Sequence, residues 1–226
     1  MERFMELYLI RHGQSTNNAG LPHVADPPLS DLGRQQAHYV GKALQREGIS
    51  HLYCSPMLRA LQTAEIIGGI LSLAPHVYTG LHEWDGIWEE SVGRFGVTLP
   101  GLTRSEMKEV CPNVVLPQDV TDEGWLFDQW ENVELMLQRA DQNATNFVAH
   151  LEATHAETDE RIAAISHGAF LSTLIGTFFG IPPNDDSDRF EHQNAAISKI
   201  RRATRGMQLR YLNRISHLAP RDMITK

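Results

Sequence analysis

The sequence predicts an α/β fold built on a mostly parallel sheet with helices on both faces. Two patterns carry that reading. Short apolar runs alternate along the chain with segments of helical periodicity, as in strand–helix–strand units. The runs also lack the polar alternation of half-exposed strands, as expected where both faces are covered. The 226 residues, 42% hydrophobic and 21% charged, fit a single domain, residues 1–226, whose core needs no disulfide or metal to fold.

Leu7–Ile10 is the first buried strand and runs directly into Arg11-His12-Gly13. A helix follows from Ser30 to about Gly48, with Ser30 as N-cap and Ala37, Val40, Gly41 and Leu44 sharing one face. His51–Cys54 is the second strand. Ser55-Pro56 then reads as an N-cap followed by proline at the first helical position. The helix it opens carries Leu61, Ala64, Ile67 and Leu71 on its inner stripe. A Val77–Thr79 segment leads on to Glu83.

From about residue 84 to 130 the rhythm breaks. This inserted lid region is rich in glycine, proline and acids, and holds Trp84, Trp88, Trp125 and Trp130. It is expected to lie over the C-terminal edge of the sheet, its tryptophans either lining a substrate pocket or, more simply, filling a small local core. A long helix from about Asn132 to Thr154 follows, then the strand Arg161–Ser166 and the helix Ala169–Phe179. Ala195–Ile200 and Met207–Leu212 close the chain as an antiparallel edge hairpin around Gly206.

Several function classes are disfavoured. No apolar run approaches the ~18 residues that span a bilayer, and Glu2, Arg3 and Glu6 interrupt the N-terminal segment. Without a small-residue cleavage site that segment reads as structure and not as a signal peptide. Cys54 and Cys111 form neither a C-x-x-C pair nor a disulfide framework, which fits a reducing compartment. A soluble cytoplasmic protein with no membrane partner is expected. The C-terminal stretch carries Lys199, Arg201, Arg202, Arg205, Arg210, Arg214, Arg221 and Lys226 against one acid, Asp222, in a chain of net charge −8. Those bases are spread along a hairpin, so self-pairing is expected and nucleic acid is not. The oligomeric state stays open, a homodimer included.

The reactive residue types sit where strands hand over to helices, the place where open α/β sheets bind ligands. Arg11 and His12 follow the first strand, Arg59 lies in the first turns after the second, and His167 follows Arg161–Ser166. Glu83 ends the connection after Val77–Thr79. Packed side by side, these segments bring two arginines, two histidines and a glutamate to one crevice. Guanidinium groups bind phosphate oxygens in pairs, and helix N-termini favour anions. A neutral imidazole can attack phosphorus while a carboxylic acid protonates the leaving oxygen. No H-E-x-x-H, His-x-His or Asp-x-Asp cluster points to a metal, so no metal or other cofactor is expected.

The segments LYLIRHGQSTNN, LSDLGRQQA, CSPMLRALQTAEII, LHEWDG and SHGAF occur in the order seen in the histidine phosphatase superfamily, and the chain resembles its phosphoglycerate mutase-like branch. The matched segments span residues 6–83 and 161–200. The resemblance implies a three-layer α/β/α sandwich around a mostly parallel sheet. It matches His12 to the nucleophile that forms a phosphohistidine, and Arg11, Arg59 and His167 to the clamp on the transferred group. Asn18 matches a phosphate-contacting asparagine, Glu83 the general acid/base, and the Gly168 backbone an additional phosphate contact. Glu83 is followed by glycine after two residues where the family usually has three; Asp85, Glu89 and Glu90 are the neighbouring carboxylates. Gln14 replaces a frequent family glutamate and is expected only to shape the loop. His23 and His82 are expected at the surface.

The family contains phosphatases, mutases and weakly catalytic members. From Trp84 to Gln138 the bases are Arg94, Arg104 and Lys108, among many acids. An acidic, aromatic lid repels polyanions, and the Arg-x-Tyr-Gly stretch usual in cofactor-dependent mutases is replaced by WDGIWEES. The expected activity is metal-independent hydrolysis of a small phosphorylated metabolite, releasing phosphate. Phosphoglycerate mutase activity and a phospho-ligand binding module are the alternatives.

Overall fold

A computed structural model of the chain describes residues 5–89, 97–126, 132–155, 159–183, 189–203, 206–218 and 221–226. The expectations placed on Glu2, Arg3, Glu90, Arg94, Trp130 and Arg205 fall outside these. Four parallel strands carry the sheet: β1 (Met5–Arg11), β2 (His51–Cys54), β3 (Pro75–Val77) and β6 (Arg161–Ser166). The antiparallel hairpin of β7 (Ile197–Ala203) and β8 (Gly206–Arg214) extends it along β1, giving the order β3-β2-β6-β1-β7-β8. A two-stranded ribbon, β4 (Trp88–Glu89) with β5 (Val97–Thr98), stands apart.

Strand side chains alternate between two apolar layers. Tyr8, Ile10, Leu52, Ala163 and Ile165 face the layer that holds α1 (Asp31–Leu44) and α2 (Leu58–Leu71). Leu7, Leu9, Tyr53, Ile162 and Ala164 face α4 (Val133–His155) and α5 (Gly168–Phe178). Both faces are therefore dry, which explains why the strands read as continuous apolar runs. The three-layer α/β/α expectation holds.

The described residues of the insert do not form a core of their own. Ile87, Met107, Cys111, Val114, Val120, Trp125 and Leu126 belong to the same cluster as α1 and α2. α3 (Arg104–Val110), closed by a Thr103–Glu106 capping box, packs on α2. Val115 extends the sheet edge, donating to Pro75 O and accepting from Val77 N. Trp84 lies on the opposite layer, its indole donating to Thr173.

Val77 ends its strand, and Thr79 begins a short 3-10 turn, Thr79–Leu81, on the way to Glu83. One local expectation needs correction. Ser55 is not the N-cap of α2, whose cap position is Met57 with no side-chain bond. The carboxylate of Asp26 does that work from a distant loop, accepting from Leu58 N at 3.0 and 3.1 Å. Ser30 does cap α1, accepting from Gly33 N. The basic hairpin pairs with acids of the same chain: Lys199 with Glu6 at 3.0 Å and Arg202 with Glu152 at 3.1 Å. Cys54 and Cys111 are buried and free. No helix among the described residues is long and apolar enough to cross a membrane.

Candidate active site

The C-terminal ends of β1, β2 and β6 meet at one crevice because the sheet order places β6 between the other two. The loop leaving β1 is held by backbone packing that only glycine permits. A Cβ on Gly13 would meet Gly33 O at 2.3 Å, and one on Gly33 would meet Gln14 O at 2.0 Å. Gln14 itself shapes this loop, accepting from Ser30 Oγ at 2.7 Å while its N–H donates to Gln36.

His12 is buried, and its hydrogen bonds fix its tautomer. Nδ1–H donates to Gly13 O at 2.7 Å, leaving the lone pair on Nε2, where Arg59 Nε–H donates at 3.1 Å. Burial, and then the Arg59 and Arg11 guanidiniums, hold its pKa well below the usual imidazole range, so the ring is neutral. The His167 ring lies 5.0 Å away, centroid to centroid. Ser55 Oγ accepts from Met57 N and lies 2.7 Å from His167 Nε2. Ser55 Oγ can donate to Nε2, and in that tautomer the proton sits on Nδ1. That buried Nδ1 finds no partner among the described residues. His167 is also held neutral, by burial and then Arg59.

Both arginines are tethered from behind. Arg59 starts α2 and faces Asp26 at 3.6 Å, and burial pushes the Asp26 carboxyl up to about 6 despite the pull of Arg59 and Leu58 N. Arg11 donates through Nη1 to His192 O, and its buried Nε has no partner among the described residues. Burial lowers its pKa from the usual guanidinium value. His192 is locked in turn, Nδ1–H donating to Phe190 O and Nε2 accepting from Ser198 Oγ, each at 2.7 Å. Two buried polar atoms, Arg11 Nε and His167 Nδ1, are thus unsatisfied beside the His12 lone pair. Unpaired buried polar groups are costly, and an anion in the crevice would satisfy Arg11 Nε–H, and His167 Nδ1 where it carries the proton.

Glu83 closes the side nearest α5. Its carboxylate accepts from Phe170 N at 2.9 Å, Ala169 N at 3.3 Å and Trp84 N at 3.1 Å. Burial, and then Asp85, push its pKa upward against the pull of Arg59 and the amides. Gly168 opens α5 with His167 as its N-cap, and its Cα face lies against the Arg11 guanidinium. Arg11, Glu83 and Gly168 line a cavity of about 310 Å³ together with Glu191, His192 and Lys226.

The structure therefore brings together Arg11, His12, Arg59, Glu83, His167 and Gly168. Asn18 is exposed and is bonded to Ser15 and Asn194, not to the histidines or arginines of the crevice. Its Oδ1 accepts from Ser15 Oγ at 3.0 Å and Asn194 Nδ2 at 3.3 Å, and Asn194 Nδ2 also reaches His12 O. His82 is not simply at the surface: it is half-buried, bonded to Asn143 at 3.2 Å and packed on Trp125. His23 is exposed as expected. Sequence reasoning missed Asp26, His192 and Asn194. Asp26 had a signal, an acid in a proline-rich loop, but no local reason to choose that partner.

Neutral imidazole, paired guanidiniums and a carboxyl with a raised pKa form a site suited to phosphoryl transfer. Comparisons with known proteins assign the family. The chain is 29% identical over 199 residues to a protein of Erwinia tasmaniensis named a probable phosphoglycerate mutase, GpmB, covering 87% of this chain and 84% of that one. A phosphoserine phosphatase of Entamoeba histolytica, solved as a His-to-Ala mutant with phosphoserine, superposes with TM-score 0.64 at 23% identity, covering 95% and 99% of the two chains. A mycobacterial glucosyl-3-phosphoglycerate phosphatase, solved with vanadate, gives TM-score 0.61 at 21% identity, covering 93% and 99%. The sequence profile of branch 1 of the histidine phosphatase superfamily matches residues 7–215. With that match spanning nearly the whole chain, the protein belongs to the histidine phosphatase superfamily, branch 1.

Proposed function

We propose that the protein is a phosphomonoester hydrolase working through a phosphohistidine on His12, without a metal ion. The observation that carries this is the His12 ring itself. Its Nδ1 is committed to Gly13 O, so the only lone pair available to phosphorus is on Nε2, beside Arg59.

In the first half-reaction Nε2 attacks phosphorus and the bond to the leaving oxygen breaks. Glu83, protonated, gives that oxygen its proton. Arg11, Arg59 and His167 Nδ1–H hold the three equatorial oxygens, supplying the charge that a metal supplies elsewhere. Asn18, through its amide N–H, and the Gly168 N–H at the start of α5 add contacts to the bound group. In the second half-reaction Glu83, now a carboxylate, takes a proton from water. The water oxygen attacks the phosphohistidine, the N–P bond breaks, and His12 returns neutral with phosphate released. A pKa raised by burial suits a group that must be acid and then base.

The substrate class follows from the wall of the cavity. Its lysine, Lys226, is paired with Glu191 at 3.1 Å, which leaves Arg11 as the lining cation for a phosphoryl group. A small phosphomonoester with a neutral or partly apolar body fits such a wall better than a bisphosphate.

The test is phosphate release from a panel of phosphomonoesters by the wild type and His12→Ala, with and without chelator. The panel includes p-nitrophenyl phosphate and 3-phosphoglycerate, the latter primed with 2,3-bisphosphoglycerate and monitored for 2-phosphoglycerate. Chelator-resistant hydrolysis lost in the variant, with little isomerisation, is expected. Isomerisation outpacing hydrolysis would make the protein a mutase. Binding of phospho-ligands without turnover would leave the binding module as the better reading.

A further inference from the structure

At the opposite end of the sheet from His12, three potential ligands converge from three elements. His51 begins β2, His155 ends α4, and Glu160 immediately precedes β6. His51 Nε2 lies 2.9 Å from Glu160 Oε1, and His155 Nδ1 contacts Glu160 Oε2. The three donor atoms all lie within 4.8 Å of one another. These residues are separated in sequence by 109 positions (His51 to Glu160) and 5 positions (His155 to Glu160), so no spacing motif announces them.

We propose that His51, His155 and Glu160 form a binding site for one divalent transition-metal ion of the zinc class. Two imidazoles and one carboxylate are the ligand set of a three-protein-ligand zinc site, with solvent completing the tetrahedron. Ligands about 2.0–2.1 Å from a tetrahedral metal stand roughly 3.3 Å apart. The present separations bracket that value, so closure needs only small side-chain movements.

The ring of His155 is held from its far side by Tyr53 and, through it, His150. Its other nitrogen, Nε2, lies 3.0 Å from Tyr53 Oη, which lies 3.1 Å from His150 Nε2. With a metal on Nδ1, Nε2–H donates to the Tyr53 oxygen and the Tyr53 hydroxyl donates to His150 Nε2. Every hydrogen bond in the chain is then satisfied, and the ligating nitrogen is oriented as metal-bound histidines usually are. Without a metal, Glu160 accepts from His155 Nδ1–H, and the same chain works with its protons reversed. The site can therefore exist in both states without an orphaned buried group.

Rigid backbone holds the ligands in place. Glu6 N donates to Glu160 O at 3.0 Å, and Ser50 N donates to Arg161 O at 2.8 Å, fixing both strand starts. A bound ion would tie the C-terminus of α4 to the sheet at the end away from the phosphoryl-transfer crevice. It would act on stability and not on the chemistry, because binding to the native state alone stabilises by mass action.

The experiment uses the full-length chain stripped with chelator and titrated with Zn²⁺, read by calorimetry and thermal unfolding. One ion per chain and a rise in Tm of several degrees are expected. His51→Ala and Glu160→Gln, both at half-exposed positions, should unfold normally without metal and lose the Zn²⁺-dependent rise. Phosphate release should differ by less than twofold between metal-free and Zn²⁺-loaded protein. Co²⁺ supplies an independent readout: the wild type should develop the intense visible absorption of a four- or five-coordinate site. Failure to bind stoichiometrically, a Tm rise retained in both variants, or only the weak spectrum of six-coordinate Co²⁺ would each overturn the assignment.

Discussion

Arg59 Nε–H points at His12 Nε2 from 3.1 Å, so the lone pair of the proposed nucleophile faces the guanidinium proposed to hold the transferred group. The same arginine is held from behind by Asp26 at 3.6 Å. One residue thus links the attacking atom to a carboxylate buried behind it.

Arg59→Lys should expose how much this geometry matters. Lysine keeps the charge but loses the planar fork and the Nε donor. Loss of one preorganised donor costs about 10²–10³ in kcat, and a fall of that order is expected with Tm nearly unchanged. Steady-state kinetics with p-nitrophenyl phosphate checks it, and a variant within threefold of wild type would remove Arg59 from the mechanism.

Asp26→Asn should separate stability from activity. Burial pushes the folded carboxyl up to about 6 from its ordinary 3.8. The folded state therefore binds this proton more tightly than the unfolded chain, and its contribution to stability is lost as pH rises through 6. Asparagine mimics the protonated form, so the variant should be more stable than wild type at pH 7.5, by about 3 kcal/mol at most. The advantage should shrink toward pH 4. Activity moves the other way, because the ionised carboxylate is what faces Arg59. The variant should lose about tenfold in kcat/KM at pH 7.5, and the acid limb of the wild-type profile should flatten. Melting and rate profiles measured on the same samples between pH 4.5 and 8 test both signs.

Lowered histidine pKa values give a second pH effect of opposite direction. His12 and His167 are held neutral, and His192 is lowered to about 4 by its burial. The unfolded chain takes up these protons near pH 6.5 while the native state does not. Their contribution to stability is present above 6.5 and declines as pH falls toward the folded values. Urea midpoints at pH 7.5, 6 and 5 should fall in that order, and His192→Gln should lessen the slope.

Much of this arrangement was legible in the sequence, for a physical reason. Strands dry on both faces need unbroken apolar runs, so β6 stood out at its observed bounds, and β1 within two residues. The groups at the ends of those strands, Arg11, His12 and His167, come together by topology alone. Illegible were the contacts made across the fold. The start of α2 was misread because its cap is Asp26, 32 residues before Leu58. His192 reaches Arg11 across 181 residues through a backbone carbonyl, which carries no side-chain signature. The insert read as separate because its composition differs, yet Met107, Cys111, Val114, Val120 and Trp125 pack into the α1–α2 layer.

Glu83→Gln should distinguish the acid from the rest of the site. Glutamine can still accept from the start of α5, so the fold is kept, but it has no proton to give. Alkyl phosphates, whose leaving oxygen needs that proton, should lose about 10²–10⁴ in kcat/KM. p-Nitrophenyl phosphate, with a good leaving group, should lose far less in the first half-reaction. Equal losses on both substrates would point to a structural role.

The most direct test is to trap the covalent intermediate. Protein mixed rapidly with a ³²P-labelled phosphomonoester is quenched in alkaline detergent and mapped by peptide. An acid-labile, base-stable label on the His12 peptide is predicted, formed fast enough for turnover, absent from His12→Ala, and longer-lived in Glu83→Gln. Full turnover without a labelled protein, or a label on any other peptide, would contradict the phosphohistidine mechanism.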